Sequence, residues 1–195
     1  MDRYMTFETH IDEMHKKVMS TLIFLNRMKN NIPVCTRVLL VQALALSIIN
    51  YCSKIWGMAG KTQIQRVQKL QNFASKIVTA NARKYDHATP YINSLKWLKI
   101  EAKCIFDICV YIFKVIRKQV PTWLLPLTTV GEVNFVTTRQ HNRLYVPQTR
   151  TVMGDRQMLV RGPSLWNKIP SSIRDVNSTN VFKTKLKEHL LKKQT

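Results

Sequence analysis

From about Val34 to Trp56 nearly every residue is apolar, and Thr36, Ala43, Ser47, Asn50 and Lys54 share one narrow stripe at helical spacing. That pattern predicts a helix buried at the centre of its domain. Beyond Gly57 and Gly60, which predict a stop, the pattern changes. Thr62-x-x-Gln65 reads as a capping box, and Ile64, Val67, Leu70, Ala74, Ile77 and Val78 recur as one inner helical face. Gln65, Lys69, Asn72 and Lys76 line the opposite face. An amphipathic helix thus follows an almost wholly apolar one.

The flanking segments read the same way. Ile11, Met14, Val18, Leu22, Leu25 and Met28 form one stripe of a first helix, with Thr9 at its start and Asp12 as a capping carboxylate. Asn30-Asn31 predicts its end, and Pro33 suits the start of the next helix. Thr89-Pro90 opens a short helix, and a longer one runs from beyond Trp97-Leu98 to near Lys118. Its inward positions are Ile100, Cys104, Ile105, Ile108, Tyr111, Ile112 and Val115, and Trp123-Leu124-Leu125 reads as an apolar anchor in the core.

From Thr128 the composition shifts towards Thr, Arg, Gly and Pro. Leu144–Val146 and Gln157–Val160 resemble short strands around a Gly154-Asp155 turn, which predicts a small hairpin. Gly162-Pro163-Ser164 then introduces Leu165-Trp166-Asn167. A last helix starts near Ser178 with Phe182, Leu186 and Leu190 inward. The expected fold is mainly α: a helical bundle over residues 1–126, then a basic extension over 127–195 with an irregular or hairpin segment and a terminal helix.

Charge adds a partner to this picture. The chain has 31 Lys+Arg against 11 Asp+Glu, a net charge of +20, and it is 45% hydrophobic. A core is therefore affordable, and a polyanion is the favoured partner. No carboxylate occurs between Met14 and Tyr85, where Lys16, Lys17, Arg27, Lys29, Arg37, Lys54, Lys61, Arg66, Lys69, Lys76, Arg83 and Lys84 are uncompensated in sequence. An ordinary solvated face normally interleaves both signs. For the face of Gln65, Lys69, Asn72 and Lys76 alone, solvation and nucleic-acid contact both remain open.

Other chemistry finds little support. Cys35, Cys52, Cys104 and Cys109 sit in apolar helical patterns without a CxxC pair, which predicts buried free thiols in a reducing compartment. His10, His15, His87, His141 and His189 show no metal-ligand spacing, and no P-loop, GxSxG or HExxH occurs. The expectation is no metal and no cofactor. Met1–Thr9 carries acids and lacks an apolar core, and the apolar runs Val38–Ile49 and Cys104–Ile116 are too short to span a bilayer. The terminal helix has a basic face but no Trp or Phe at an interfacial edge. An intracellular protein, nuclear or cytoplasmic and without membrane attachment, is expected.

Several motifs then converge in order along the chain. MDRYMTFETHIDEMHKK resembles the end of the palm and start of the thumb in non-LTR (LINE-type) retrotransposon reverse transcriptases. ALALSIINYCSKIW followed by IQRVQKLQNFASKIV is similar to that family's thumb pair, with Tyr51-Cys52, Trp56, Leu70-Gln71 and Asn72 in the corresponding places. SLKWLKIEAK and VYIFKVI resemble the helical segment beyond the thumb. GDRQMLVRGPSLWNKIPSSIR and VFKTKLKEHL resemble the terminal signature of jockey-like clades, in which Trp166-Asn167-x-x-Pro170 is the most specific part.

The resemblance implies a helical thumb that grips a template–primer duplex of RNA, DNA or hybrid, followed by a C-terminal extension. Such polymerases use magnesium held by palm aspartates. Two-metal phosphoryl transfer needs clustered carboxylates, and the family's paired-aspartate box does not occur here. Asp12-Glu13 is the only adjacent acidic pair in the sequence. A binding fragment without polymerase or endonuclease activity is therefore expected. Its contact residues would be Lys61, Lys69, Asn72, Lys76, Arg83 and Lys84, with Arg139, Arg143, Arg150 and Arg156 as a second patch. The alternative is a structural or protein-interaction remnant whose partner occupies the apolar face that a palm would otherwise cover.

Overall fold

The computed structural model describes residues 6–79, 82–83, 85–121, 123, 125–134 and 142–194. It is mainly α-helical, with no strand among the described residues. The chain divides into two compact units, Met1–Cys104 with Leu191–Thr195, and Ile105–Leu190. This division falls inside a helix, whereas the change of composition near residue 127 lies within the second unit.

In the first unit, α1 (Glu8–Met28) buries Ile11, Met14, Val18, Leu22 and Leu25 as their spacing predicts, whereas Met28, expected on the same stripe, is exposed. Phe7 precedes it in the left-handed region at φ 57 and has no side chain to cap the helix, while Glu8 N donates to Thr6 Oγ1 at 3.4 Å. Asp12 is not the capping carboxylate expected of it. Its Oδ1 instead accepts from Arg66 Nη2 at 2.5 Å. A 3-10 turn (Lys29–Asn31) and Pro33 lead into α2 (Val34–Leu40).

The apolar helix that follows is neither continuous nor buried all round. A π-helical segment (Val41–Leu46) joins α2 to α3 (Ser47–Asn50), and Cys52, at φ 51, breaks the run before α4 (Ser53–Trp56). Val41, Ala45, Leu46 and Ile49 face inward, while Leu39, Leu44 and Tyr51 remain exposed. A helix can be apolar on every side and still find packing partners for only one.

Trp56 ends the run fully buried, its Nε1 donating to Tyr51 O at 2.9 Å. Gly57 follows because there is no room for a side chain. A Cβ there would meet the Ser53 carbonyl oxygen and lie 2.5 Å from Cys104 Sγ.

Helix α5 (Lys61–Val78) packs along α1 and also against α2 and the π segment, and α6 (Thr89–Ser94) packs on α5. Gly60, not Thr62, is its N-cap, so the predicted capping box does not form. Arg37 Nη1 closes the other end, donating to Ile77 O at 3.0 Å. Side-chain amides fasten the back of α5. Gln71 Nε2 donates to Leu98 O, and Gln68 Oε1 accepts from Ile100 N, both at 2.8 Å. Ile100 opens α7 (Ile100–Ile116), so Gln68 supplies one of the partners that a helix N-terminus lacks.

In the second unit, the aromatic rings of Phe113, Trp166 and Phe182 form the centre. Phe113 and Phe182 stack at 4.3 Å, and Trp166 lies 5.7 Å from Phe182. These rings come from α7, α10 (Met158–Asn167) and α12 (Thr179–Gln194). Phe182, Leu186 and Leu190 are buried as their spacing predicts. Among the described residues between α7 and α10 lie two short helices, α8 (Val130–Asn134) and α9 (Val152–Asp155). Pro170 caps α11 (Ser171–Arg174).

The hairpin expected around Gly154-Asp155 does not form. Those residues sit in the helical turn α9, capped by Thr151, whose side chain accepts from Gly154 N, and Gln157 is the N-cap of α10. Pro163, expected in a linker, lies inside α10. Leu144 does pair with extended backbone, in an isolated antiparallel bridge to Thr129. Asn167 completes that pairing, since its Nδ2 donates to Leu144 O at 2.8 Å and its Oδ1 accepts from Leu144 N at 3.1 Å. Trp123 is 78% exposed and is not the core anchor expected, while Leu125 is buried and Leu124 lies outside the described residues.

The substitution Gly57→Ala places a methyl group between the Ser53 carbonyl and Cys104. Urea unfolding of the variant is expected to show a loss of about 1–3 kcal/mol, the usual cost of overpacking. An unchanged midpoint would contradict the close approach.

Candidate nucleic-acid interface

The rotation of α5 decides which of its side chains reach the surface. Val67, Leu70, Ala74, Ile77 and Val78 are buried, so Lys69, Asn72 and Lys76 lie on the far side. A groove of about 540 Å³ opens there. Its walls are Lys69, Asn72, Phe73 and Lys76 of α5, Asn26 and Lys29 at the end of α1, and Ala82 and Arg83 beyond α5. Four of the predicted contact residues thus come together: Lys69, Asn72, Lys76 and Arg83.

Lys61 is exposed at the first turn of α5, about two turns from Lys69 at 1.5 Å rise per residue, and does not line the groove. Lys84 lies outside the described residues. Asn26 and Lys29 are additions that the hydrophobic pattern alone did not single out. Three residues apart, they share a face of the last turn of α1 and its 3-10 extension, and that spacing was the available signal.

The wall of the groove contains four cations and, among the described residues, no carboxylate. Asn72 Oδ1 is engaged by Gln68 Nε2 at 2.9 Å, which leaves the Asn72 amide nitrogen to donate to a ligand. Gln68 is held in turn by Gln71 and Ile100, so Asn72 is positioned by the same amide network that joins α5 to α7. Lysines act as mobile point charges, and an amide donor adds direction.

Arg83 is positioned through its main chain. Its N donates to Asp86 Oδ2 at 2.8 Å, and Tyr91 Oη donates to the same oxygen at 2.7 Å. The Tyr91 hydroxyl, followed by the Arg83 amide, holds the Asp86 carboxyl below its ordinary range, and Asp86 pushes the Tyr91 phenol up. Asp86 also acts on Arg83 and Lys76 through its charge, so these two cations are offset in part.

Two bases counted as uncompensated have structural work instead. Arg66 pairs with Asp12 and also donates to Gln63 Oε1, and Arg37 caps α5.

The second predicted patch is not gathered in the same way. Arg143 and Arg150 are exposed, Arg156 is half-buried, and Arg139 lies outside the described residues. The cavity of about 510 Å³ in this part of the chain is lined by Arg161 and Asp155, not by those three arginines.

Cys104 and Cys109 are buried free thiols, and burial pushes the Cys109 thiol up to about 12. Cys35 is exposed, against expectation, because α2 buries none of its side chains. Among the described residues no group of three His, Cys, Asp or Glu is placed to hold a metal ion, and no helix is long and apolar enough to cross a membrane.

No protein-family model, curated protein or solved structure matches this chain.

Because the folded-state pKa of Asp86 is lowered, its contribution to the loop is present above the ordinary value of 3.8 and is lost as pH falls through the lower, folded value. In an NMR titration the Arg83 amide should therefore move with a midpoint below 3.8. Tyr91→Phe should raise that midpoint. A midpoint unchanged by Tyr91→Phe would contradict the assigned cause.

Proposed function

We propose that the groove beside α5 binds the sugar–phosphate backbone of a nucleic acid. It would do so as the thumb of a LINE-type reverse transcriptase grips its template–primer. The observation that carries this reading is the convergence of Lys29, Lys69, Lys76 and Arg83 with the Asn72 amide on a wall without carboxylates among the described residues. Such a wall suits phosphate oxygens and carries no base-reading pattern, so RNA, DNA and hybrid duplexes are all candidate partners. The ordered motifs from Tyr51 to Pro170 support the family reading.

The proposed activity is binding without polymerisation. The sequence holds no paired-aspartate box, and Asp12 of its Asp12-Glu13 pair is already taken up by Arg66.

A second reading, a surface for a protein partner, is favoured by one separate observation. Phe24, Leu39 and Tyr51 are 59%, 65% and 72% exposed. Exposed apolar side chains mark an interaction surface where they form one contiguous patch. Light scattering separates the two readings: a defined oligomer supports the second, and a monomer that binds duplex supports the first.

If about six phosphates are neutralised, log affinity for a duplex should fall against log salt with a slope near −5. The double variant K69Q/K76Q should make that slope shallower by about 2. Binding that barely weakens between low and moderate salt would sink the proposal.

A further inference from the structure

Among the described residues that line the groove beside α5, one is aromatic, Phe73. Phosphate binding gives it no role. The face of an aromatic ring carries partial negative charge, so it does not attract an anion. Part of Phe73 packs on the core of the first unit, and the residue is left half-buried at the groove wall.

The helix sets its place among the cations. Lys69, Phe73 and Lys76 follow one another at steps of four and three, so the ring lies between the two lysines on one face of α5. At 1.5 Å per residue those lysines stand about 10 Å apart along the helix axis. Asn72 presents its amide nitrogen on the same face, and Lys29 and Arg83 add their charge to the same groove.

The hollow itself is a second feature that a bare backbone does not need. A strand lying across a surface needs only cations on that surface. The groove, at about 540 Å³, falls instead within the range of about 300–1,000 Å³ typical of sites that enclose a small ligand. Cations, an aromatic ring and a hollow together suit an unpaired nucleotide, because the cations follow the phosphates and the ring takes the face of the base.

We propose that the groove takes an unpaired nucleotide, with its base against Phe73, its flanking phosphates on Lys69 and Lys76, and the Asn72 amide donating to the sugar or phosphate. This rests on the reading of the groove as a nucleic-acid site and narrows its ligand. A single-stranded overhang is preferred to the paired end of a duplex. Every base has a π face, so the preference is not tied to sequence.

The test uses the full chain and three fluorescent probes: a blunt RNA–DNA hybrid duplex, the same duplex with a short single-stranded overhang, and that overhang built from abasic sugars. The two overhangs carry equal charge, so only the bases differ. Fluorescence anisotropy should show the base-bearing overhang binding tightest, at least about fivefold tighter than the abasic one, as expected for one stacked base. That ratio should persist as salt rises although both affinities fall, because stacking releases no counterions.

Phe73→Leu keeps an apolar side chain on the core and should bring the two overhangs to equal affinity. K69Q/K76Q should weaken both alike. If Phe73→Leu does not fold, the NMR ring signals of Phe73 in the unaltered chain serve in its place, and the base-bearing overhang should shift them while the abasic one does not. Equal affinity of the unaltered chain for the two overhangs would overturn this proposal and leave the backbone reading standing. So would a preference that survives Phe73→Leu or, in its place, Phe73 signals that respond to both overhangs alike. If none of the three probes binds, the backbone reading itself fails, and this proposal with it.

Discussion

Burial of Val67, Leu70, Ala74 and Ile77 along α1 fixes the rotation of α5 about its own axis, and the groove follows from that rotation. Each such side chain contributes on the order of 1–3 kcal/mol when removed from water. Repulsion among the surface cations of the groove costs about a few tenths of a kcal/mol per pair. Packing therefore wins by a wide margin. It holds Lys69, Asn72 and Lys76 beside Lys29 whether or not a ligand neutralises them.

Side-chain amides do much of the remaining fastening. Gln71 and Gln68 tie α5 to the start of α7, and Gln194 bonds both Lys99 N and Trp97 O. In the second unit Asn167 takes the place of a neighbouring strand for Leu144. An amide offers a donor and an acceptor at once, so it can stand in for a missing peptide group. In the proposed interface this has a functional side. Engaging Asn72 Oδ1 leaves its amide nitrogen as a donor beside the four cations, which suits phosphate.

The helices and their inward stripes were legible in the sequence because they rest on spacing alone. Ile11 to Leu25, Val67 to Val78 and Phe182 to Leu190 are buried as that spacing predicts. What spacing could not give was the choice among competing partners. Asp12 reads as a cap by its spacing from Thr9, but the helix starts at Glu8, and Asp12 inside it pairs with Arg66 instead. Gln157–Val160 looks like a strand by composition, yet Gln157 caps a helix, because Asn167 already supplies the pairing that Leu144 needs. The apolar run from Val34 to Trp56 suggested full burial, but Leu39, Leu44 and Tyr51 on its outward face are exposed. The groove was half legible. The α5 cations follow from one helix, whereas Asn26 and Lys29 depend on how α1 lies against it.

The most direct test of the central claim is an NMR titration of the full chain with a short RNA–DNA hybrid duplex, following backbone amides and the Asn72 side-chain amide. The account predicts that the largest shifts fall on Lys29, Lys69, Asn72, Lys76 and Arg83. The Asn72 side-chain signals should move together with the Arg83 amide at a single binding constant. Shifts confined to the basic face of α12, around Lys183 and Lys187, with Asn72 unmoved, would contradict it.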